Sequence, residues 1–152
     1  MKITAIKKWL VDAYRTNLAF VKVETDEGLH GYGEASIGLH ENAIMGMLED
    51  LTPSLLGRSP LDTEALCHDL YRDSYWRIGP VLTSALAGVE MACWDIKGKV
   101  LGQPVWPLLG GQCRDRVRCY ANAWFVPAKT PEEFADKARE AVSLGWKALK
   151  WD

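Results

Sequence analysis

Apolar and polar positions alternate along the first third of the chain. Ala19, Val21 and Val23 share one face of a stretch whose other face carries Lys22 and Glu24, which predicts a strand over 19–25. Residues 3–11 are rich in strand formers but alternate less cleanly. Asp26-Glu27-Gly28 is a tight-turn signal, and residues 29–35 return as a third strand, completing a β-meander. Gly31 and Gly33 strip one face of that third strand, permitting a bulge or the close approach of another backbone. The period then lengthens to that of helices. Residues 41–51 carry Ile44, Met47, Leu48 and Leu51 at helical spacing. Ser59-Pro60-Leu61-Asp62 reads as a helix start with Ser59 as N-cap, and Leu61, Ala65, Leu66 and Leu70 line one face. A longer helix is predicted over 81–101. Small residues (Ser84, Ala85, Ala87, Gly88, Ala92) permit close packing there, Leu82, Leu86, Val89 and Ile96 supply bulk, and Gly102 ends it.

Beyond Leu108-Leu109-Gly110-Gly111, which reads as a hinge, the pattern changes. Val117-Arg118-Cys119-Tyr120-Ala121 reads as a strand. Thr130-Pro131-Glu132-Glu133 has the form of a capping box, followed by a helix with a Phe134, Ala138, Ala141 and Val142 stripe that Gly145 ends. Gly145 to the terminal Trp151-Asp152 reads as a further strand. Strand, crossover helix and strand form the unit of parallel sheets and barrels. The expected architecture is an α+β capping domain over residues 1–112, a three-stranded antiparallel meander plus helices. It is followed over 113–152 by the first strands of a (β/α) TIM-like barrel, so the sequence looks like the front part of a larger α/β protein. On an alternating strand Lys150 and Asp152 share a face, with Leu149 and Trp151 on the other. In a barrel the first pair would point into the lumen near its C-terminal mouth; on an exposed edge strand it would face water. Parity does not separate the two, and the crossover unit favours the lumen.

Composition narrows the function classes. The 152 residues are 48% apolar and 25% charged, enough for a packed core. A net charge of −2 without a basic stripe gives no footprint for nucleic acid, and the seven tryptophans, spread singly, read as packing residues. No apolar stretch is long enough for a membrane span, and the N-terminal residues lack the apolar segment of a signal peptide. The four cysteines form no CxxC pair and read as reduced, mostly buried thiols of a cytoplasmic protein, not a metal cluster.

Several segments resemble one family. Glu90-Met91-Ala92-Cys93-Trp94-Asp95-Ile96-Lys97-Gly98-Lys99, then Leu101-Gly102-Gln103-Pro104-Val105 and Leu108-Leu109-Gly110-Gly111, resemble the helix-to-barrel junction of the enolase superfamily, mandelate racemase and muconate lactonizing branch. Gly31-Tyr32-Gly33-Glu34-Ala35 is similar to that branch's third capping-domain strand. Tyr120-Ala121-Asn122 and Ala148-Leu149-Lys150-Trp151-Asp152 are similar to its first two barrel strands.

The resemblance implies removal of a proton α to a carboxylate, with an enediolate intermediate stabilised by Mg²⁺. The metal ligands of the family lie on later barrel strands, so none is assigned in this chain. Lys150 matches the first lysine of the family's Lys-x-Lys motif, which neutralises the substrate carboxylate. Asp152 stands where a racemase has its second lysine, which favours the acid-sugar dehydratases: loss of water from an aldonate or aldarate to a 2-keto-3-deoxy sugar acid. The alternatives are a racemase, epimerase or cycloisomerase of the same branch, or a non-catalytic binding module. Two capping-domain loops of the family close over the barrel mouth and help to choose the substrate. They correspond to residues 12–18, with Tyr14, Arg15 and Asn17 as candidate binding residues, and to 36–42, with His40. Trp76 is a further candidate near the cleft. His30, His68 and Glu34 are assigned to structure. The expected partner is a small carboxylate, a sugar acid, with no nucleic acid and no membrane, and the full-length protein is expected to be a homo-oligomer.

Overall fold

The computed structural model describes residues 1–14, 16–77 and 79–151. Its described elements are β1 (Ile3–Asp12), β2 (Asn17–Thr25), β3 (His30–Glu34), α1 (Glu41–Leu55), α2 (Thr63–Asp73), α3 (Gly79–Leu101), the single turn α4 (Val105–Leu108) and α5 (Pro131–Ser143). They fall into two compact units, Met1–Gly111 and Gln112–Asp152.

In the first unit β1, β2 and β3 form the expected antiparallel meander in that order. Gly28 takes a φ of +78° in the β2–β3 turn, a value that an L side chain disfavours. Ala19, Val21 and Val23 are fully buried, as the alternation of β2 requires. They meet Ile44, Leu48 and Leu55 of α1, Leu66 and Leu70 of α2 and Leu82, Val89 and Ile96 of α3 in one continuous core. Each large aliphatic side chain so buried contributes about 1.5–3 kcal/mol.

The bare face of β3 is where α3 docks. A Cβ at Gly31 would lie 2.0 Å from the Ala92 carbonyl oxygen, and one at Gly33 would lie 1.9 Å from that of Gly88. Gly88 in turn leaves room for Ala35 and Val21. Strand and helix therefore meet backbone to backbone.

Both edges of the sheet are engaged in part, which shortens the template each offers for pairing with another chain. On the β1 side, the Ile3 N–H donates to the Arg58 carbonyl and the Gly57 N–H to the Ile3 carbonyl, both at 2.9 Å. On the β3 side, Asp95 Oδ2 accepts from the Tyr32 N–H at 2.9 Å, and Lys99 Nζ donates to the His30 carbonyl at 2.7 Å and to Asp95 at 2.8 Å.

Some expectations are corrected. Ser59 does not cap a helix. Its Oγ accepts from the Leu61 N–H at 3.2 Å in a preceding turn, and α2 begins at Thr63 with Asp62 in the N-cap position. That later start turns Ala65 outward and buries Thr63. Glu34 is exposed at the end of β3, and its carboxylate has no hydrogen bond or ion pair among the described residues.

In the second unit Thr130 and Glu133 form the expected capping box at the start of α5, each side chain accepting from the other's backbone N–H. Gly145 closes α5 with a φ of +91° while the Trp146 N–H reaches back to the Ala141 carbonyl at 3.2 Å. The flanking strands do not form as ladders among the described residues. They reduce to one parallel bridge, Ala121 with Leu149, built from Ala121 N–H to the Ala148 carbonyl at 3.0 Å and Lys150 N–H to the Ala121 carbonyl at 2.9 Å. A parallel strand is stable when buried between neighbours, and here Val117 and Tyr120 remain exposed. Val142, expected inside the α5 stripe, is exposed, leaving Ala141 as the buried residue of that turn.

Candidate functional site

The β1–β2 loop and the segment between β3 and α1 lie side by side. In the first, Asp12 closes β1 opposite Asn17, and its Oδ1 accepts from the Tyr14 N–H at 3.1 Å. The Ala13 N–H donates to the Thr16 carbonyl at 3.0 Å, and Tyr14 stands exposed to solvent. The second segment is anchored by Ser36, whose Oγ accepts from the Ala19 N–H at 2.9 Å. The Ala35 N–H donates to the Ala19 carbonyl at 2.8 Å. Between the two loops is a hollow of about 370 Å³ lined by Asp12, Tyr14, Thr16, Asn17, Leu39 and Glu41.

Two of these residues have left-handed backbones, Tyr14 at φ 69° and Leu39 at φ 71°. They are also 96% and 88% exposed, so no core packing accounts for the conformation. Strain of this kind persists where the surrounding structure imposes it, and it concentrates at ligand sites.

The candidates named from the sequence are thus divided. Tyr14 and Asn17 line the hollow. Arg15 lies outside the described residues. His40 sits at the N-cap of α1 without a side-chain cap bond, between the two lining residues Leu39 and Glu41. Trp76 is 79% exposed, stacks edge-to-face on Tyr75 at 5.1 Å, and is not among the residues of the hollow. Leu39 and Glu41 were not singled out from the sequence. The signal that could have found Leu39 is an apolar residue after Gly38 that no periodic element claims.

The displaced titrations of this unit belong to its framework. Glu24 is held below the usual carboxylate range by Lys22 and then Lys7, and Asp69 by Arg58. Burial pushes the Cys93 thiol up to about 12 and that of Cys67 up to about 11, which leaves both protonated and unreactive at neutral pH.

In the second unit Lys150 is half-buried, one residue past the bridge. Its carbonyl accepts from Trp124 Nε1 at 2.8 Å. Trp151 stacks on Phe134 of α5 at 4.9 Å and on Trp124 at 5.3 Å, so it faces the helix, as the alternation predicts. Asp152 lies outside the described residues. An apolar hollow of about 510 Å³ lies beside these rings, lined by Trp124, Lys129, Pro131, Phe134, Ala135, Ala138 and Trp151. It holds no acid or base pair suited to proton transfer. Among the described residues, no group of three histidines, cysteines, aspartates or glutamates is placed to hold a metal ion. The described residues therefore do not fit a magnesium site.

A meander backed by a long helix, with two loops meeting around a polar hollow, defines an α+β domain of the capping type. Residues 10–110 match the family model of the mandelate racemase / muconate lactonizing enzyme N-terminal domain, and the chain belongs to that family. It is 40% identical over 151 residues to a D-galactonate dehydratase family member of Marinomonas sp., covering 99% of this chain and 36% of that protein. It is 40% identical over 144 residues to a D-mannonate dehydratase of Caulobacter vibrioides, covering 94% of this chain and 35% of that protein. The fold is similar to that of an enolase from Pantoea ananatis crystallised with bound D-gluconate and Mg, with a TM-score of 0.85 and 37% identity, over 97% of this chain and 35% of that one. It is also similar to an enolase superfamily member from Salmonella Typhimurium, with a TM-score of 0.88 and 33% identity, over 99% of this chain and 42% of that one. The chain thus spans little more than a third of the length of these curated relatives. Among the described residues, no helix is long and apolar enough to cross a membrane.

Proposed function

We propose that this chain is the N-terminal part of a Mg²⁺-dependent acid-sugar dehydratase, a hydro-lyase that removes the proton α to a carboxylate and expels water to leave a 2-keto-3-deoxy sugar acid. The observation that carries this reading is the 40% identity, over 99% of the chain, to a D-galactonate dehydratase family member. The neighbour with D-gluconate and Mg supports a sugar acid as substrate and magnesium as the metal of the whole protein. No residue of this chain is assigned to the metal and no step is derived through it. Residues 1–112 act as the capping domain and 113–152 as the start of a (β/α) barrel. Lys150 neutralises the substrate carboxylate. Tyr14, Asn17 and Arg15 supply hydroxyl, amide and guanidinium groups to the sugar, with His40 beside them. Asp152 in place of a second lysine speaks against a racemase with a lysine base on this segment. The cytoplasm and a homo-oligomer complete the reading for the whole protein.

The test is an assay of the full-length protein with Mg²⁺ against aldonates and aldarates, with 2-keto-3-deoxy acid as the readout. At least one aldonate is expected to turn over, and Lys150→Met is expected to lower kcat/KM by roughly 10²–10³, the scale of a lost charge-stabilising donor. A panel that yields no keto-deoxy acid, or a Lys150→Met variant with full activity, defeats the proposal.

A further inference from the structure

Both backbone groups of Lys150 are engaged, one of them by a side chain. Its N–H donates to the Ala121 carbonyl at 2.9 Å, and its carbonyl accepts from Trp124 Nε1 at 2.8 Å. A parallel ladder that continued past the Ala121–Leu149 bridge would give that carbonyl to the Ala123 N–H instead. The chain leaves that course at Ala123, whose φ is +53° and whose N–H donates to Asn122 Oδ1 at 2.9 Å. The turn brings Trp124 across to the neighbouring segment, and its indole takes the rung that Ala123 vacates. Other rings hold the indole in place. It packs on Phe125 at 5.6 Å and on Trp151 at 5.3 Å, and Trp151 lies on Phe134 of α5 at 4.9 Å. With Trp151 committed to the helix side, alternation sets Lys150 on the opposite face.

We infer that Trp124 is a positioning residue for the reaction: by clamping the Lys150 carbonyl it holds this segment in the register that presents the lysine to the substrate carboxylate. The inference rests on the role given to Lys150 above. An ammonium on a flexible stem has many rotamers, so its aim depends on a fixed backbone at its root. A bond at the Lys150 N–H alone leaves the peptide that follows free to turn, and the second bond removes that freedom. An indole suits the task, because it carries one donor and no acceptor and its ring can be locked by stacking. A half-buried carbonyl stripped of its donor must find water or twist toward it. Misplacement of a reacting group by about 1 Å can cost on the order of a hundredfold in rate. Trp124 acts through Lys150 alone and is assigned no contact with substrate.

The test is a double-mutant cycle in the full-length protein with Mg²⁺, on whichever of D-gluconate, D-galactonate and D-mannonate turns over fastest. Trp124→Phe keeps an aromatic ring against Trp151 and removes the donor. It is expected to lower kcat/KM at least about tenfold. In the Lys150→Met background the same substitution is expected to change kcat/KM by less than about twofold, because no charge is left to aim. A merely structural role would lower both backgrounds alike, so effects that differ by less than about threefold overturn the inference. If Trp124→Phe does not fold, benzothienylalanine at position 124, which exchanges the N–H for sulfur within the same ring shape, takes its place. Failure of the cycle with Lys150→Met still crippled leaves the dehydratase reading intact, whereas full activity of Lys150→Met ends both. If no sugar acid turns over, that reading falls and the same cycle is run as calorimetric binding of D-gluconate. Binding weakened by Trp124→Phe only where Lys150 is present supports the clamp. Any other result, absence of binding included, overturns it.

Discussion

At position 33 a single methyl group decides whether helix and strand can meet. The Cβ of an alanine there would lie 1.9 Å from a backbone oxygen of α3, an atom that cannot swing aside as a long side chain can. Gly33→Ala should therefore destabilise the first unit by about 2–3 kcal/mol or more, the cost of overpacking a tight core. Gly46 is the control. It lies within α1 with nothing within 4 Å of a built Cβ, so Gly46→Ala should stabilise by up to about 1 kcal/mol through helix propensity. Urea titration of both variants checks the pair, and an equal response would refute the close-packing account. The sequence made the close approach legible, because two glycines on one strand face have few other uses. It did not say which backbone arrives, since Ala92 and Gly88 are about 60 residues away along the chain.

The elements were most legible where local chemistry alone sets them. The box of Thr130 and Glu133 needs four consecutive residues and nothing else, and it forms as read. Replacing Thr130 by Ala should cost about 1 kcal/mol, measured by thermal or denaturant unfolding. Its partner brings a pH dependence. The backbone N–H groups of Lys129 and Thr130 hold the Glu133 carboxyl below the usual range. The folded state thus binds that proton less readily than the unfolded state. The resulting stabilisation is complete above the ordinary glutamate value of 4.5 and fades as pH falls through the lowered folded value. The difference in Tm between wild type and Glu133→Gln should accordingly shrink on acidification from neutral pH, and a constant difference would contradict the box. Ser59 shows the limit of such reading. Its side chain was free to serve either a helix or the turn before one, and tertiary burial of Thr63 chose the turn. The expected strands at 117–121 and 145–152 show a second limit. A parallel ladder depends on neighbours far away in sequence, and a local run of strand formers can specify no more than the one bridge found here.

On the scale of the whole molecule, the four cysteines report how differently its parts are packed. They were expected to be mostly buried. Cys93 is buried and Cys67 partly so, whereas Cys113 and Cys119 are exposed in the second unit. Titration of the native chain with a thiol-specific disulfide reagent should give two fast equivalents from Cys113 and Cys119. The remaining two should appear slowly or only on unfolding, because burial has pushed the Cys67 and Cys93 thiols up to about 11 and about 12. Four equal rates would contradict the packing of α2 against α3. The candidate site was half legible on the same scale. The two loops could be named in advance because the resemblance to the enolase superfamily implied them. Their sharing of one hollow, and the entry of Leu39 and Glu41 into its lining, depend on how the chain returns after β3, which no local pattern records.

The left-handed backbones at Tyr14 and Leu39 set robustness against recognition. Non-glycine residues held in that region each carry a penalty on the order of 1 kcal/mol. Heat-based screening of random variants would drift toward glycine at both positions, and the survivors would be hardier proteins whose hollow no longer carries a phenol and an isobutyl group on its rim. Engineers seeking a tougher version of this domain would do better to leave 14 and 39 fixed and harvest stability from positions such as 46.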